Sequence, residues 1–232
     1  MTSRLLITGT DTGVGKTMVG CALAFALKVR GLRVGVMKPA ETGCAPGADG
    51  LQPADAIALR ASASAGHPLE VICPYRYSSP LAPAAAAEID GLAPPDPEQI
   101  RRLFERIATD SDVVLVEGAG GIAVPLTWNF NYADLAASID LEVILVVANR
   151  LGCLNSALLS IEYARRRHLR VNGYILNDTE PLTSPAARSN AESLRRLTDV
   201  PALGSVRYKE PLPLAIVDRV LDMVGYGAGR NR

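Results

Sequence analysis

The chain has 232 residues, in which 24 Lys and Arg balance 24 Asp and Glu to give a formal net charge of zero. This length suits one α/β domain with a large core and is short for two. With no basic stripe, nucleic acid is not an expected partner, and the apolar run 19–27, closely bounded by Thr17 and Lys28, is too short to span a membrane.

The apolar run Leu5-Leu6-Ile7 predicts a first strand over 4–8, and the periodic segment after it predicts a helix over 15–29 that stops at Gly31. Residues 33–38 read as a second strand, with Val-Gly-Val-Met at its centre and Pro39 after it. A polar loop over 41–50 follows, then a helix over 53–64 and a short strand or extended segment over 71–77. Ser79-Pro80-Leu81-Ala82-Pro83 opens an alanine-rich helix to about residue 89, and 98–108 carries Ile100, Leu103, Phe104 and Ile107 at helical spacing. A strongly apolar strand over 112–117 leads into a second glycine-rich loop, Glu117-Gly118-Ala119-Gly120-Gly121. Helices are expected over 131–139, 151–168, 185–197 and 212–224. Strands are expected over 142–149, 171–177 and 202–206, and residues 225–232 are expected to fray.

Strands alternate with helices throughout, so the expectation is a single doubly wound α/β domain over 1–232, with a mostly parallel sheet and helices on both faces. Near-continuous apolar runs suit strands covered on both sides. Ligands of such sheets sit beyond the carboxyl ends of the strands. That rule gathers four loops at one edge: 9–17, 38–50, 117–121 and 149–155.

The first of these loops carries the most specific chemistry. Strand, glycine-rich loop ending in Gly15-Lys16-Thr17, then helix is the layout of a phosphate-binding loop, and so of a P-loop nucleotide-binding domain. Backbone N–H groups of a tight loop form a nest for anions, and the helix behind it adds its unsatisfied first-turn donors and the positive end of its dipole. Gly13 and Gly15 let the backbone approach phosphates closely. Lys16 supplies a point charge to the terminal phosphates, and the Thr17 hydroxyl is a candidate ligand for Mg²⁺. The usual spacing places a glycine six positions before the lysine. Thr10 stands there, and the glycine comes one residue earlier, at Gly9.

Lys38 falls at the same edge, after the second strand. It reads either as a solvated strand-end lysine or as a second cation that stabilises charge on a transferring phosphoryl group. Asp55 and Glu117 are candidate metal partners, since Mg²⁺ takes one or two carboxylates together with phosphate oxygens. Asp55 also suits the first turn of its helix. Cys21, Cys44, Cys73 and Cys153 show no Cys/His ligand spacing and read as reduced thiols, and His67 and His168 read as surface residues. The amino terminus shows no signal-peptide layout, so a soluble, cytoplasmic protein is expected.

Taken in order, these blocks resemble the dethiobiotin synthetases. The residues that carry the resemblance are Thr8-Gly9-Thr10-Asp11-Thr12-Gly13-Val14-Gly15-Lys16-Thr17, Lys38-Pro39-Ala40-Glu41-Thr42-Gly43, Asp55-Ala56, Val116-Glu117-Gly118-Ala119-Gly120-Gly121, Leu151-Gly152-Cys153-Leu154-Asn155 and Asn177-Asp178. The resemblance implies an ATP- and Mg²⁺-dependent cyclo-ligase of biotin biosynthesis. In that reaction 7,8-diaminononanoate takes up CO₂ as a carbamate, which ATP phosphorylates to a mixed anhydride. The second amine then closes a cyclic urea, with release of ADP and phosphate.

The resemblance also implies roles for residues. Thr12 would contact phosphate or carbamate, with Lys16 and Lys38 bridging both. Gly13, Val14, Gly15, Lys16, Thr17, Met18 and Asn177 would hold the nucleotide, Asn177 reading the adenine amino group and residues 206–210 completing the base pocket. Thr17, Asp55 and Glu117 would order Mg²⁺. Thr42, Gly118, Ala119, Gly120 and Gly121 would line the diamine site. Leu151, Gly152, Cys153 and Asn155 begin a helix that would bind the substrate carboxylate from the partner subunit of a homodimer. The chain departs from the family in three places: it has Val206-Arg207-Tyr208-Lys209 where Pro is common, no His near Ala82-Pro83-Ala84, and Arg150 in place of a Lys. Partitioning ATPases carry a Lys five residues before the loop lysine, where this chain has Asp11. A cobyrinic-acid-type amidating synthetase would need a glutaminase domain, for which the chain is too short.

Overall fold

The computed structural model describes residues 2–181 and 184–227. Strand β1 (Ser3–Gly9) leads to α1 (Lys16–Val29), β2 (Val34–Met37), β3 (Ala40–Glu41), β4 (Ala45–Gly47), β5 (Gly50–Gln52), α2 (Ala54–Ala63), α3 (Leu69–Ile72), β6 (Tyr75–Arg76), α4 (Pro83–Asp90) and α5 (Pro97–Thr109). The second half runs β7 (Val113–Gly121), β8 (Pro125–Thr127), β9 (Phe130–Asn131), α6 (Tyr132–Ser138), β10 (Glu142–Ala148), α7 (Cys153–Arg166), β11 (Val171–Asn177), α8 (Pro185–Leu197), β12 (Ala202–Val206) and α9 (Leu214–Met223).

The main sheet has the order β12-β11-β10-β1-β7-β2, and every neighbouring pair in it is parallel. Successive side chains of a strand point to opposite faces. Leu5 and Ile7 of β1 therefore pack with Val19, Leu23 and Leu27 of α1 and Ile216 and Val220 of α9. Leu6 packs on the other face with Phe104 of α5 and Leu135 of α6. Strand β7 divides in the same way, Val113 and Leu115 to one face and Val114 and Val116 to the other. Farther along the sheet, α7 and α8 cover Leu145 and Val147 through Ile161 and Leu194. Both faces are covered, which is why the strands read as unbroken apolar runs. The parallel arrangement brings the carboxyl ends of all the central strands to one edge. Among the described residues, no helix is long and apolar enough to cross a membrane.

Several local expectations change. The loop over 41–50 carries β4 and runs into β5, its antiparallel partner, and these short, mostly exposed strands offer no apolar alternation to read. Segment 71–77 divides into the last part of α3 and then β6, which pairs in parallel with β3. The second glycine-rich stretch is not a free loop: β7 continues through it, and after a register shift Gly121 pairs with Gly9. Glycines carry no side chain from which a strand period could be inferred. The small hairpin of β8 and β9 is a further element that residue pattern did not announce. Of the segment expected to fray, 228–232 lie outside the described residues. Residues 225–227 follow α9 in a turn, with Tyr226 N–H donating to the Leu221 carbonyl at 2.8 Å.

Phe104 is fully buried on α5, and the Arg4 guanidinium lies 5.1 Å from its ring centre. Phe104→Ala is expected to lower the unfolding free energy by about 3–5 kcal/mol. Urea denaturation should show a lower midpoint with an unchanged slope.

Candidate active site

The phosphate-binding loop joins β1 to α1. A Cβ on Gly9 would lie 2.6 Å from Val14 Cγ2 and 2.8 Å from the Asp11 carbonyl oxygen. The loop folds back against the strand end at that residue, so the glycine is needed at 9 and Thr10 is tolerated. Gly15 has φ +93°, and a Cβ there would lie 2.2 Å from Asn177 Nδ2. Asn177 ends β11 and donates from Nδ2 to the Val14 carbonyl at 2.9 Å, tying a distant strand to the loop. Among the described residues no side chain caps α1, and its first turn holds no acidic residue, so the free N–H groups are open to an anion. Lys16 is buried and donates to the Asp11 carbonyl at 2.9 Å. Burial, and next to it repulsion from Lys38, holds the Lys16 pKa below that of an ordinary lysine.

Beside the loop sits a charged cluster. Met37 of β2 pairs with Val116 of β7, so Lys38 and Glu117 leave adjacent strands side by side. Lys38 Nζ donates to Glu117 Oε1 at 2.5 Å and to Asp55 Oδ2 at 2.7 Å. Thr17 Oγ1 donates to the same Glu117 oxygen at 2.8 Å. The Lys38 and Glu117 side chains are 3% and 1% exposed, whereas Asp55 retains 39%. Burial disfavours the charged form of Lys38, but attraction to Glu117 and Asp55 outweighs it and raises the pKa well above the usual lysine value. For Asp55 burial acts upward, and the ammonium of Lys38 outweighs it to hold the carboxyl below the usual range. Glu41 is buried nearby, accepting from the Asp55 and Ala56 N–H groups at 2.8 and 3.0 Å, and burial raises its pKa.

These groups also fit a divalent cation. Glu117 Oε2 is buried and has no hydrogen-bond partner among the described residues, and it lies in a cluster that already holds one cation. Two carboxylates and a hydroxyl are hard oxygen donors, a set suited to Mg²⁺ when phosphate oxygens complete it. Among the described residues no three His, Cys, Asp or Glu side chains gather to hold a metal on their own.

A cleft of about 740 Å³ opens over the loop and the cluster. Of the residues singled out from sequence, Thr12, Gly13, Gly15, Lys16, Thr17, Lys38, Thr42, Asp55, Glu117, Ala119 and Gly120 line it. Gly118 does not; it is buried, with a Cβ there falling 3.5 Å from the Tyr132 ring. Gly121 lines an adjoining groove of about 510 Å³, which shares Thr12, Gly120 and Val124 with the cleft. Val14 is packed in the core and Met18 is 40% exposed, both outside the cleft. Leu151, Gly152 and Asn155 are exposed and Cys153 is buried, and none of the four reaches the cleft of its own chain. Arg150 pairs with Asp11 of the loop at 3.1 Å. Sequence reasoning missed Glu41, Val124 and the 80–83 wall as lining groups. The Pro80 and Pro83 pair was the available signal for the wall, and Glu41 stood inside a quoted motif without a role. His67 lies 3.8 Å from Asp110, away from the cleft, and His168 is exposed. All four cysteines are free.

The parallel sheet, the loop and the cation cluster define a phosphate-loop nucleotide-binding protein. Residues 3–213 match the family model described as AAA domain. The chain is 44% identical over 213 residues to an ATP-dependent dethiobiotin synthetase of Anaeromyxobacter dehalogenans, covering 90% of this chain and 88% of that protein. It is 38% identical to the enzyme of the same name from Pseudomonas aeruginosa, covering 96% and 97% of the two chains. The chain belongs to the dethiobiotin synthetase family. Among solved structures, a MinC:MinD cell division protein complex of Aquifex aeolicus superposes with a TM-score of 0.62 at 18% identity over 99% of both chains, a likeness that concerns the fold alone.

Lys38→Met strands a buried carboxylate and is expected to cost about 3–5 kcal/mol of stability at neutral pH. The raised Lys38 pKa contributes stability below the unfolded value of about 10.4, and the lowered Asp55 pKa contributes above about 3.9. The difference between wild type and variant, read by denaturant unfolding, should therefore be greatest at alkaline pH below about 9 and shrink on acidification as the stranded carboxylate takes up a proton. A difference that grows on acidification would contradict the cluster.

Proposed function

We propose that this protein makes the cyclic urea dethiobiotin from 7,8-diaminononanoate, CO₂ and ATP, releasing ADP and phosphate. The observation that carries the reading is the placement of two lysines, Lys16 and Lys38, with two carboxylates beside a phosphate-binding loop in one cleft. It is supported by membership of a family whose relatives bear that enzyme's name.

The chain's own groups account for the chemistry as follows. The loop N–H groups and α1 hold the nucleotide phosphates, with Asn177 at the base side of the loop. A magnesium ion held by Thr17, Asp55 and Glu117 would neutralise charge on the phosphate oxygens. Carbamate formation joins one substrate amine to CO₂ and releases a proton. Lys38 and Lys16 hold the carbamate oxygen against the γ-phosphorus while Thr12 fixes its approach; the O–P bond forms and ADP leaves. The second amine then attacks the carbonyl carbon, loses its proton and expels phosphate. The reaction asks for positioning and charge stabilisation, not a protein nucleophile. Thr42 and the Ala119-Gly120 wall would flank the diamine.

The carboxylate end of the substrate needs a further site, and α7 supplies one. Its N-cap, Gly152, has φ +92°; its first turn has no acidic residue and no side-chain cap among the described residues. These features match those of α1, and Leu151 beside it is 84% exposed. The helix does not reach the cleft of its own chain, so we infer a homodimer in which α7 of one protomer serves the cleft of the other. The reaction would take place in the cytoplasm.

With purified protein, phosphate release from ATP and appearance of the cyclic urea by mass spectrometry should both require the diamine and bicarbonate. Phosphate release indifferent to the diamine, with no urea formed, would sink the reading. For the dimer, Lys38→Ala and Gly152→Asp chains should each be inactive alone and regain activity when refolded together, because hybrid dimers hold one intact site. No recovery in dimers of confirmed mixed composition would place both groups in one protomer's site.

A further inference from the structure

Glu41 has no part in the chemistry above, yet it is buried against the cation cluster. Both its carboxylate oxygens are used: Oε1 accepts from Asp55 N–H at 2.8 Å and Oε2 from Ala56 N–H at 3.0 Å. These are first-turn donors of α2, and the residue at the N-cap position, Pro53, supplies no side-chain cap. A carboxylate from β3 thus does what an N-cap side chain does in other helices, satisfying donors and complementing the dipole.

The consequence falls on Asp55. Its side chain is the most exposed member of the cluster, at 39%. The segment carrying Lys38 and Glu41 grips it twice, Lys38 at its carboxylate and Glu41 at its backbone N–H. We infer that Glu41 is a positioning residue that holds the amino end of α2 so that Asp55 meets the divalent cation. The inference rests on the proposed metal site of Thr17, Asp55 and Glu117. A purely structural cap would instead affect stability and leave metal affinity alone.

The test is calorimetric titration of Mg²⁺ into the protein saturated with a non-hydrolysable ATP analogue, alongside binding of the analogue without metal. The chains compared are wild type, Glu41→Ala, Glu41→Gln, Asp55→Asn and the Glu41→Ala/Asp55→Asn double variant. Glu41→Ala should weaken Mg²⁺ binding by about tenfold, with metal-free analogue binding unchanged. Glu41→Gln keeps an acceptor and should fall between Glu41→Ala and wild type; it carries the test if Glu41→Ala does not fold. The double variant should bind Mg²⁺ no more weakly than Asp55→Asn, because Glu41 acts through Asp55. Unchanged Mg²⁺ affinity in the Glu41 variants, or losses that multiply in the double variant, would overturn the inference while leaving the metal site standing. Asp55→Asn that binds Mg²⁺ as tightly as wild type would overturn both.

Discussion

The buried ammonium of Lys38, held between Glu117 and Asp55, is the constraint around which the functional edge is built. Desolvating charges is costly, and a pair of this kind returns that cost only when its geometry is good and its remaining lone pairs are used. The sheet provides the geometry: parallel pairing of β2 with β7 sets Lys38 beside Glu117. Helix α2 brings in Asp55, and α1 brings in Thr17. Well-packed apolar residues would stabilise the same corner at least as well. The charges are therefore best understood through what they do to a phosphorylated ligand.

The phosphate loop and the cluster depend on each other. Lys16 is buried and sits close enough to Lys38 for the two positive charges to oppose one another. Both charges are directed toward the one cleft, where an anion would relieve that repulsion. Asn177 stiffens the loop from behind, and the absence of room for a side chain at Gly15 shows how closely β11 abuts it. Loop, lysines and carboxylates thus form one electrostatic unit made from four segments of the chain.

Much of this was legible in the residues. Strands of Val, Ile and Leu announced a sheet covered on both faces, and each main strand and long helix lies within a few residues of its expected place. Lys16, Thr17, Lys38 and Glu117 could be gathered because the carboxyl-end rule brings their loops to one edge, whereas Asp55 lies outside those loops and read equally as a first-turn carboxylate of its helix. What escaped had no period or no local signal. The β4 and β5 hairpin is exposed and short, and the 117–121 stretch is mostly glycine, so neither displays an alternation. The Glu41 cap joins residues on β3 to α2 across an intervening hairpin, which no helix-start rule anticipates, since such rules look to the residue just before the helix. The family resemblance implies Gly118 as part of the diamine wall, but it does not line the cleft. It is buried instead, and a Cβ there would meet the Tyr132 ring at 3.5 Å.

The two-lysine cleft is proposed to bring a carbamate oxygen onto the γ-phosphorus, so that the oxygen lost from CO₂ on ring closure leaves with phosphate. Turnover with ¹⁸O-labelled bicarbonate tests this most directly. If the carbamate oxygen attacks phosphorus and departs with it when the ring closes, the released phosphate must carry label from CO₂. Phosphate without that label, formed alongside the urea, would mean that water took the phosphoryl group and would contradict the account.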